Sequence, residues 1–364
     1  MTNRLELAWF AALCDDDYEQ LGVPNPDLIS SFEHCADIVR AAEAGGFDSI
    51  LMPSGYALGI DTVAFTAAVA QSTTTITPIV AVRMGEMWLP QLARQLATLD
   101  HLLHGRMVIN IISSDLPGES LASGPRYERT RQHMGDLRRL LDGQPVAVAG
   151  SDSPLEPPRI RTVNGQCPEF YFGGLSDEAR AVAAEAADVY LMWPDTLTGI
   201  AATIADMRQR AQAHGRSLRF GYRVHVVVRA TEGEAHAAAQ HLIAALDPDV
   251  GDAIRARSLD SQSVGVRAQA SLRDSADLDG FVEPNVWTGI GRARSGCGAA
   301  IVGNPQQVAD KINQYRSLGI GTFILSGYPH RDECDRFAAM VMPLLRGEQG
   351  RVGESLVRSS MLSG

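Results

Sequence analysis

The spacing of apolar positions changes period repeatedly along the chain. Short, near-continuous apolar runs fall at residues 5–13, 49–53, 76–82, 107–113, 169–172, 189–193, 220–229 and 322–326. Such runs predict strands buried on both faces, as in a parallel sheet. Between and after them, apolar residues recur every three or four positions over 28–44, 61–72, 89–103, 127–141, 176–186, 198–214, 231–245, 305–318 and 331–345. That period predicts helices with one buried stripe. The punctuation agrees. Gly45-Gly46 closes the first helix, Asn304-Pro305 places a cap before a proline at the first helical position, and Ser176-Asp177-Glu178 puts acids in a first turn. Eight strands, each followed by a helix, predict an α/β fold of the (β/α)8 TIM-barrel type. A doubly wound open sheet fits less well, because no G-x-G-x-x-G follows the first strand.

Two stretches interrupt the alternation. Residues 113–126 form a Gly/Pro/Ser-rich loop after the fourth strand. Residues 247–303 are a long insertion between the seventh and eighth strands, polar at first and then Gly-rich and free of acids over 284–298. A loop of this length inside a compact domain reads as a lid or as disorder. The organisation expected is one barrel domain over 1–346 that includes the insertion, followed by a polar tail at 347–364.

Composition narrows the function classes. Hydrophobic residues at 45% allow a large core, and a net charge of −11 removes the broad basic face that nucleic acid or an acidic membrane requires. A local cationic pocket stays open. The five cysteines have neither C-x-x-C nor metal-finger spacing, so no metal is expected, and their scatter suits a reducing compartment. With no leader-like start and no apolar run of about 18 residues, the expected location is the cytoplasm.

In a barrel the chemistry sits at the C-terminal ends of the strands. Those ends carry Cys14, Ser54, Arg83, Ser113, Gly173-Gly174, Trp193, Arg223 with His225, and Tyr328-Pro329-His330. No carboxylate pair is apparent among them. Gly173-Gly174-Leu175-Ser176 opens a helix and reads either as a phosphate cradle or as an ordinary capped turn. Arg223 and His225 share one face of a strand with no acid between Leu218 and Ala230. A buried arginine there needs a distant carboxylate or an anionic ligand. Arg292 and Arg294 lie in the acid-free run, where an arginine either closes over an anion or is simply solvated. Trp193 reads as a wall for a flat ring or as a plug of the rim. His330 reads as a proton carrier or as a helix cap. Cys14 and Cys297 read as packing residues.

Several runs resemble one family. Phe220-Gly221-Tyr222-Arg223-Val224-His225, Asn285-Val286-Trp287-Thr288-Gly289-Ile290-Gly291 with Arg294-Ser295-Gly296, and Leu325-Ser326-Gly327-Tyr328-Pro329-His330 look like the reduced-FMN-dependent alkanesulfonate monooxygenases of the luciferase-like superfamily. So do Tyr171-Phe172-Gly173-Gly174 with Ser176-Asp177, and Arg94-Gln95-Leu96-Ala97-Thr98-Leu99-Asp100. The resemblance runs from about residue 7 to 345. It implies a two-component system in which a separate NAD(P)H-dependent reductase supplies reduced FMN. Dioxygen is then spent on C–S cleavage of a small anionic sulfonate, giving an aldehyde and sulfite. It further implies a homodimer or homotetramer. By motif, Arg223, His225, Arg294, Tyr328 and His330 fall on substrate and catalytic positions. Tyr127, Gly173, Gly174 and Ser176 fall on flavin-phosphate contacts, and Asn110, Ser113 and Trp193 lie around the flavin ring.

The chain departs from that family at three places near the rim. Ala57, Leu58 and Gly59 stand where the family has a cysteine, Cys14 stands for its histidine, and the 113–126 loop is shorter. A different substrate preference on an unchanged reaction core is therefore expected. Open alternatives are a same-fold oxygenase acting on a non-sulfonate, by N-hydroxylation or Baeyer–Villiger oxidation, a flavin or deazaflavin dehydrogenase, and a flavin-binding protein without turnover.

Overall fold

The computed structural model describes residues 4–55, 59–148, 150, 152–256, 263–294 and 296–347. Its strands in chain order are β1 (Glu6–Phe10), β2 (Ser49–Met52), β3 (Thr77–Arg83), β4 (Val108–Ile112), β5 (Phe170–Gly173), β6 (Val189–Met192) and β7 (Arg219–Val228). The insertion then adds β8 (Phe281–Glu283), β9 (Val286–Trp287) and β10 (Ala300–Gly303), and β11 (Ile320–Ser326) follows. Strands β1 to β7 pair in sequence and in parallel, and β11 pairs with both β7 and β1, which closes the barrel. All eight apolar runs read from the sequence are these barrel strands.

Alternation along each strand sorts the side chains. Leu7, Trp9, Tyr222, Val224, Val226, Phe323 and Leu325 point outward into the layer packed under the helices. Ala8, Phe10, Leu51, Ile79, Val108, Tyr171, Val189 and Ile324 fill the barrel interior. At the N-terminal end, Glu6 accepts hydrogen bonds from Ser49 (2.6 Å), Thr322 (2.7 Å) and Tyr171 (3.0 Å). A cavity lies at the opposite end of the barrel.

The predicted helices are present with shifted ends. The first starts at Phe32, where the Ser31 side chain accepts from His34 N, and the fourth begins earlier than expected, at Ser123. The last breaks into His330–Met340 and Met342–Arg346. Pro343 has no N–H to continue the ladder at that joint. No helix among the described residues is long and apolar enough to cross a membrane.

The insertion is more structured than a loop. It holds helices Pro248–Ala256 and Val264–Asp274 and the β8–β9 hairpin. Strand β9 pairs antiparallel with β10, and β10 pairs in parallel with the outer end of β7, from His225 to Val228. The acid-free run is tied down as well. Gly291 N donates to Gly298 O (2.8 Å), Arg273 donates to Gly291 O (2.7 Å), and Gln269 joins Pro194 O to Gly298 N. Residues 257–262, Ser295 and the tail 348–364 lie outside the described residues.

Candidate active site

A cavity of about 600 Å³ opens at the C-terminal mouth. Two arcs of the barrel line it. One arc comes from the ends of β4, β5 and β6 and carries Asn110, Ser113, Gly173, Gly174, Ser176 and Trp193, with Tyr127 beside it. The other comes from β7, β11, β1 and the insertion and carries Arg223, Ile324, Phe10, Asp16, Arg294 and Cys297.

Arg223 is 5% exposed, and no carboxylate pairs with it among the described residues. Its guanidinium sits 4.3 Å from the Phe10 ring centroid and donates to Val224 O, Ile324 O and Ser326 Oγ. Burial drags its pKa below the ordinary arginine value. The nearby Asp16 charge offsets part of that burial, but no carboxylate bonds the guanidinium among the described residues, which leaves it able to meet a ligand.

Arg294 reaches over the same ring, at 5.8 Å, but has protein partners. It donates to Asp16 Oδ2 (2.7 Å) and to the Tyr328 hydroxyl (2.5 Å). Burial pulls its pKa down, but Tyr328 and Asp16 outweigh that and hold it well above the usual value. Arg292 is exposed, which is the solvated reading.

His225 lies behind Arg223 and is fully buried. Ser326 Oγ accepts from Arg223 (2.8 Å), so its proton is free to go to His225 Nδ1 (2.7 Å). If Ser326 donates there, the ring hydrogen sits on Nε2, an atom with no hydrogen-bond partner among the described residues. Burial, then the positive Arg223 and Arg294, push the His225 pKa well below 6.5, so the ring is neutral. It stacks on Tyr328 with centroids 5.2 Å apart. Burial pushes the Tyr328 hydroxyl above its ordinary range despite Arg294.

His330 is also fully buried and does not line the cavity. Its backbone N–H and Nδ1 both donate to Asp17 Oδ1 (2.9 Å each), while His34 donates to Asp17 Oδ2. Burial pushes the Asp17 carboxyl up, but the His330 charge and the hydrogen bonds from His330 and His34 hold it well below the usual range. His225, Tyr328 and His330 thus form a layer behind the two arginines, with Tyr328 edge-on to His330 at 5.0 Å.

On the other arc, Gly174 has φ +152, and a Cβ there would lie 2.6 Å from Ala179 Cβ and 3.4 Å from the Tyr127 hydroxyl. Its bareness keeps a concave backbone at the start of the Asp177–Ala186 helix, where Ser176 caps by accepting from Ala179 N. Arg126 lines the same wall, its Nη1 3.4 Å from Asp115 and its Nε buried without a hydrogen-bond partner among the described residues. A helix start and this cation make a fitting seat for a phosphate. Thr130 donates to Ser113 Oγ (2.7 Å), which fixes that side chain at the end of β4. Trp193 is half-buried, with Gly265 and Gly296 of the insertion so close that a Cβ on either would lie 2.9 or 3.2 Å from its ring. It walls the cavity and also seats the insertion.

Sequence reasoning missed several of these residues. The strand ends were read as lacking a carboxylate pair, yet Asp16 and Asp17 stand side by side after β1 and serve opposite sides, one Arg294 and the other His330. Arg83 was noted only as a strand end. It is buried in the cavity wall, bonded to Ser114 and 3.5 Å from Glu86. Cys14 does line the cavity, and burial pushes its thiol up to about 12, so it is an inert wall atom there. Ala57 and Leu58 lie outside the described residues. No group of side chains among the described residues could hold a metal ion.

Residues 7–322 match the family model described as luciferase-like monooxygenase. The chain is 59% identical over 347 residues to a sulfoquinovose monooxygenase of Novosphingobium aromaticivorans, covering 93% of this chain and 96% of that protein. It is 49% identical over 348 residues to a sulfoquinovose monooxygenase of Agrobacterium fabrum, covering 94% and 90%. Among solved structures it is similar to the EDTA monooxygenase from Chelativorans sp. BNC1, with a TM-score of 0.76 and 18% identity over 95% of this chain and 94% of that one. That last likeness speaks for the fold alone.

Proposed function

The chain belongs to the luciferase-like monooxygenases and is an FMN-dependent enzyme, and from that premise we propose that it removes sulfite from a sugar sulfonate, sulfoquinovose. The observation that carries this reading is Arg223, a buried cation in the cavity wall whose only hydrogen-bond partners among the described residues are neutral oxygens. Burying it without a counter-charge costs several kcal/mol, on the order of a typical single-mutant effect or more. An anionic head group offsets that cost. The high identity to two sulfoquinovose monooxygenases supports a sulfonate with a sugar body. This replaces the simple alkanesulfonates implied by motif resemblance, in keeping with the altered rim.

The proposed reaction takes the sulfonate-bearing carbon to an aldehyde. One oxygen atom of dioxygen ends in the aldehyde and the other in water, while sulfite leaves. Reduced FMN supplies two electrons and activates dioxygen when bound, and a separate NAD(P)H-dependent reductase keeps it reduced. Its phosphate seat is the Gly173–Gly174 backbone with Ser176, Tyr127 and Arg126, and Asn110, Ser113 and Trp193 wall the ring. The cradle is built largely from backbone donors, so its grip is moderate and flavin comes and goes as a substrate.

Arg223 and Arg294 hold the sulfonate, and their attraction grows as the departing sulfite gains charge. Neutral His225 presents its Nε2 hydrogen as a donor, with its tautomer set by Ser326. Tyr328 orients Arg294 and shields the histidine. His330, held by Asp17, supports Tyr328 from its edge. The insertion, seated on Trp193, keeps bulk water from the reacting atoms. The working assembly is proposed to be a homodimer or homotetramer, checked by light scattering. The decisive experiment is turnover with reduced FMN on sulfoquinovose, hexanesulfonate, a sulfone and an amine, scored for sulfite. Sulfite from sulfoquinovose supports the reading, and oxygenated product without sulfite defeats it.

A further inference from the structure

Asp16 is a puzzling neighbour for an anion site. It lines the cavity on the loop after β1, beside the two arginines that share the Phe10 ring. One of its oxygens, Oδ2, is taken by Arg294 at 2.7 Å. The other, Oδ1, is buried and has no hydrogen-bond partner among the described residues. A carboxylate needed only to orient Arg294 could present both oxygens to the guanidinium, as the planar fork allows. Here half of its accepting capacity is left over, next to the place where the head group docks.

A second anion cannot fill that place, because a sulfonate oxygen against Oδ1 would be repelled. A bare alkyl chain cannot fill it well either, since it would bury a charged acceptor with nothing to pair it. What fits is a neutral donor attached close to the sulfonate, which is what a polyhydroxylated carbon skeleton carries.

We infer that Asp16 is a specificity-determining residue whose free Oδ1 accepts a hydrogen bond from a ring hydroxyl of the sugar, while its Oδ2 keeps Arg294 in place. The assignment rests on the sugar-sulfonate reading above. It makes Asp16 act twice. It rewards hydroxylated sulfonates and penalises simple alkyl ones, whose passage leaves the carboxylate oxygen buried and unpaired. The mechanism is the one by which a site built to bond a hydroxyl rejects an analogue lacking it.

The test compares sulfite release by wild type and Asp16→Ala with reduced FMN. The substrates are sulfoquinovose, sulfoquinovose analogues each lacking one ring hydroxyl, and hexanesulfonate, the last scored as a competitive inhibitor if it does not turn over. In wild type, one deoxy analogue loses about 10- to 100-fold in kcat/KM, the range expected for a bond to a charged acceptor. In Asp16→Ala that deficit disappears, and preference for sulfoquinovose over hexanesulfonate falls by a similar factor. An equal loss on every substrate, with ratios unchanged, means that Asp16 only holds Arg294 and overturns the inference. Should Asp16→Ala fail to fold, wild type decides alone, because indifference to every single hydroxyl also overturns it. Wild type that releases no sulfite from sulfoquinovose fails the substrate reading itself and takes this inference down with it.

Discussion

Arg223 and Arg294 stand over the same phenylalanine ring and face the same cavity, but they are supported in opposite ways. Arg223 rises from a barrel strand and hydrogen-bonds only neutral oxygens among the described residues, so its burial outweighs the attraction of the nearby Asp16 charge. Arg294 comes from the insertion and already has a carboxylate and a phenol. A cation without a counter-charge is ready for an anion and loses nothing when one arrives. A cation with a counter-charge must share it, so its contribution to binding is smaller, but its position is secure in the absence of ligand. In the proposed site the pair would therefore divide affinity from placement, with the rigid strand supplying affinity and the insertion supplying placement.

The comparison breaks most sharply at Arg223. Arg223→Ala is expected to cut kcat/KM by about 100-fold or more, the penalty for removing one partner of a buried charge pair. Flavin binding should remain. Because no carboxylate is orphaned by the change, the melting temperature should stay near wild type, and a large drop in thermal denaturation would instead make Arg223 a structural strut.

Arg294→Ala is expected to cost less, about 10-fold in kcat/KM, since its charge is already shared. Its effect should show in limited proteolysis. Cleavage within 247–298 should be suppressed in wild type by reduced flavin plus substrate, and the variant should lose that protection. Equal cleavage in every state would remove the lid from the mechanism.

Gly174→Ala tests the opposite arc. The added methyl meets Ala179 at a backbone angle that costs a side chain about 1–3 kcal/mol. Reduced-FMN affinity, followed by fluorescence quenching, should weaken by about 10-fold, with kcat at saturating flavin nearly unchanged.

The smallest effect concerns pH. The His225 value is depressed below 6.5 by burial and the nearby arginines, so between 6.5 and that lowered value the unfolded chain binds a proton that the folded chain refuses. Stability contributed by this residue is complete above 6.5 and is lost as pH falls below it. The melting temperature should decline between pH 7 and 5, and His225→Asn should flatten that decline. An unaltered slope would place the acid sensitivity elsewhere.

The barrel was legible because its strands are apolar runs bounded by helix-period stretches, and burial on both faces leaves little room for another pattern. The insertion was not. Helices Pro248–Ala256 and Val264–Asp274 are short and polar, and Val286-Trp287 is a two-residue strand embedded among glycines that read as loop. Their order comes from docking on Trp193, Pro194 and the end of β7, which local sequence does not encode. At the site, Arg223 and the 173–176 turn could be found because each sits at a strand end with an unusual neighbourhood. Asp16 and Asp17 could not, because three acids in a row after a strand look like a solvated turn. Only closure of β1 against β11 sets one beside an arginine of the insertion and the other beneath a histidine near residue 330.

Strand β7 has a divided edge. Its inner residues, up to His225, pair with Ser326 and the rest of β11, while His225 to Val228 pair with β10, the root of the insertion. The lid is thus grafted onto the barrel by hydrogen bonds that begin at the histidine behind the two arginines, and the Gly173–Gly174 turn at the end of β5, two strands away, takes no part in that splice. Drift in the grafted segment can alter what the enzyme accepts while the inherited flavin seat stays untouched, so selection can try new sulfur compounds without having to reinvent oxygen chemistry each time.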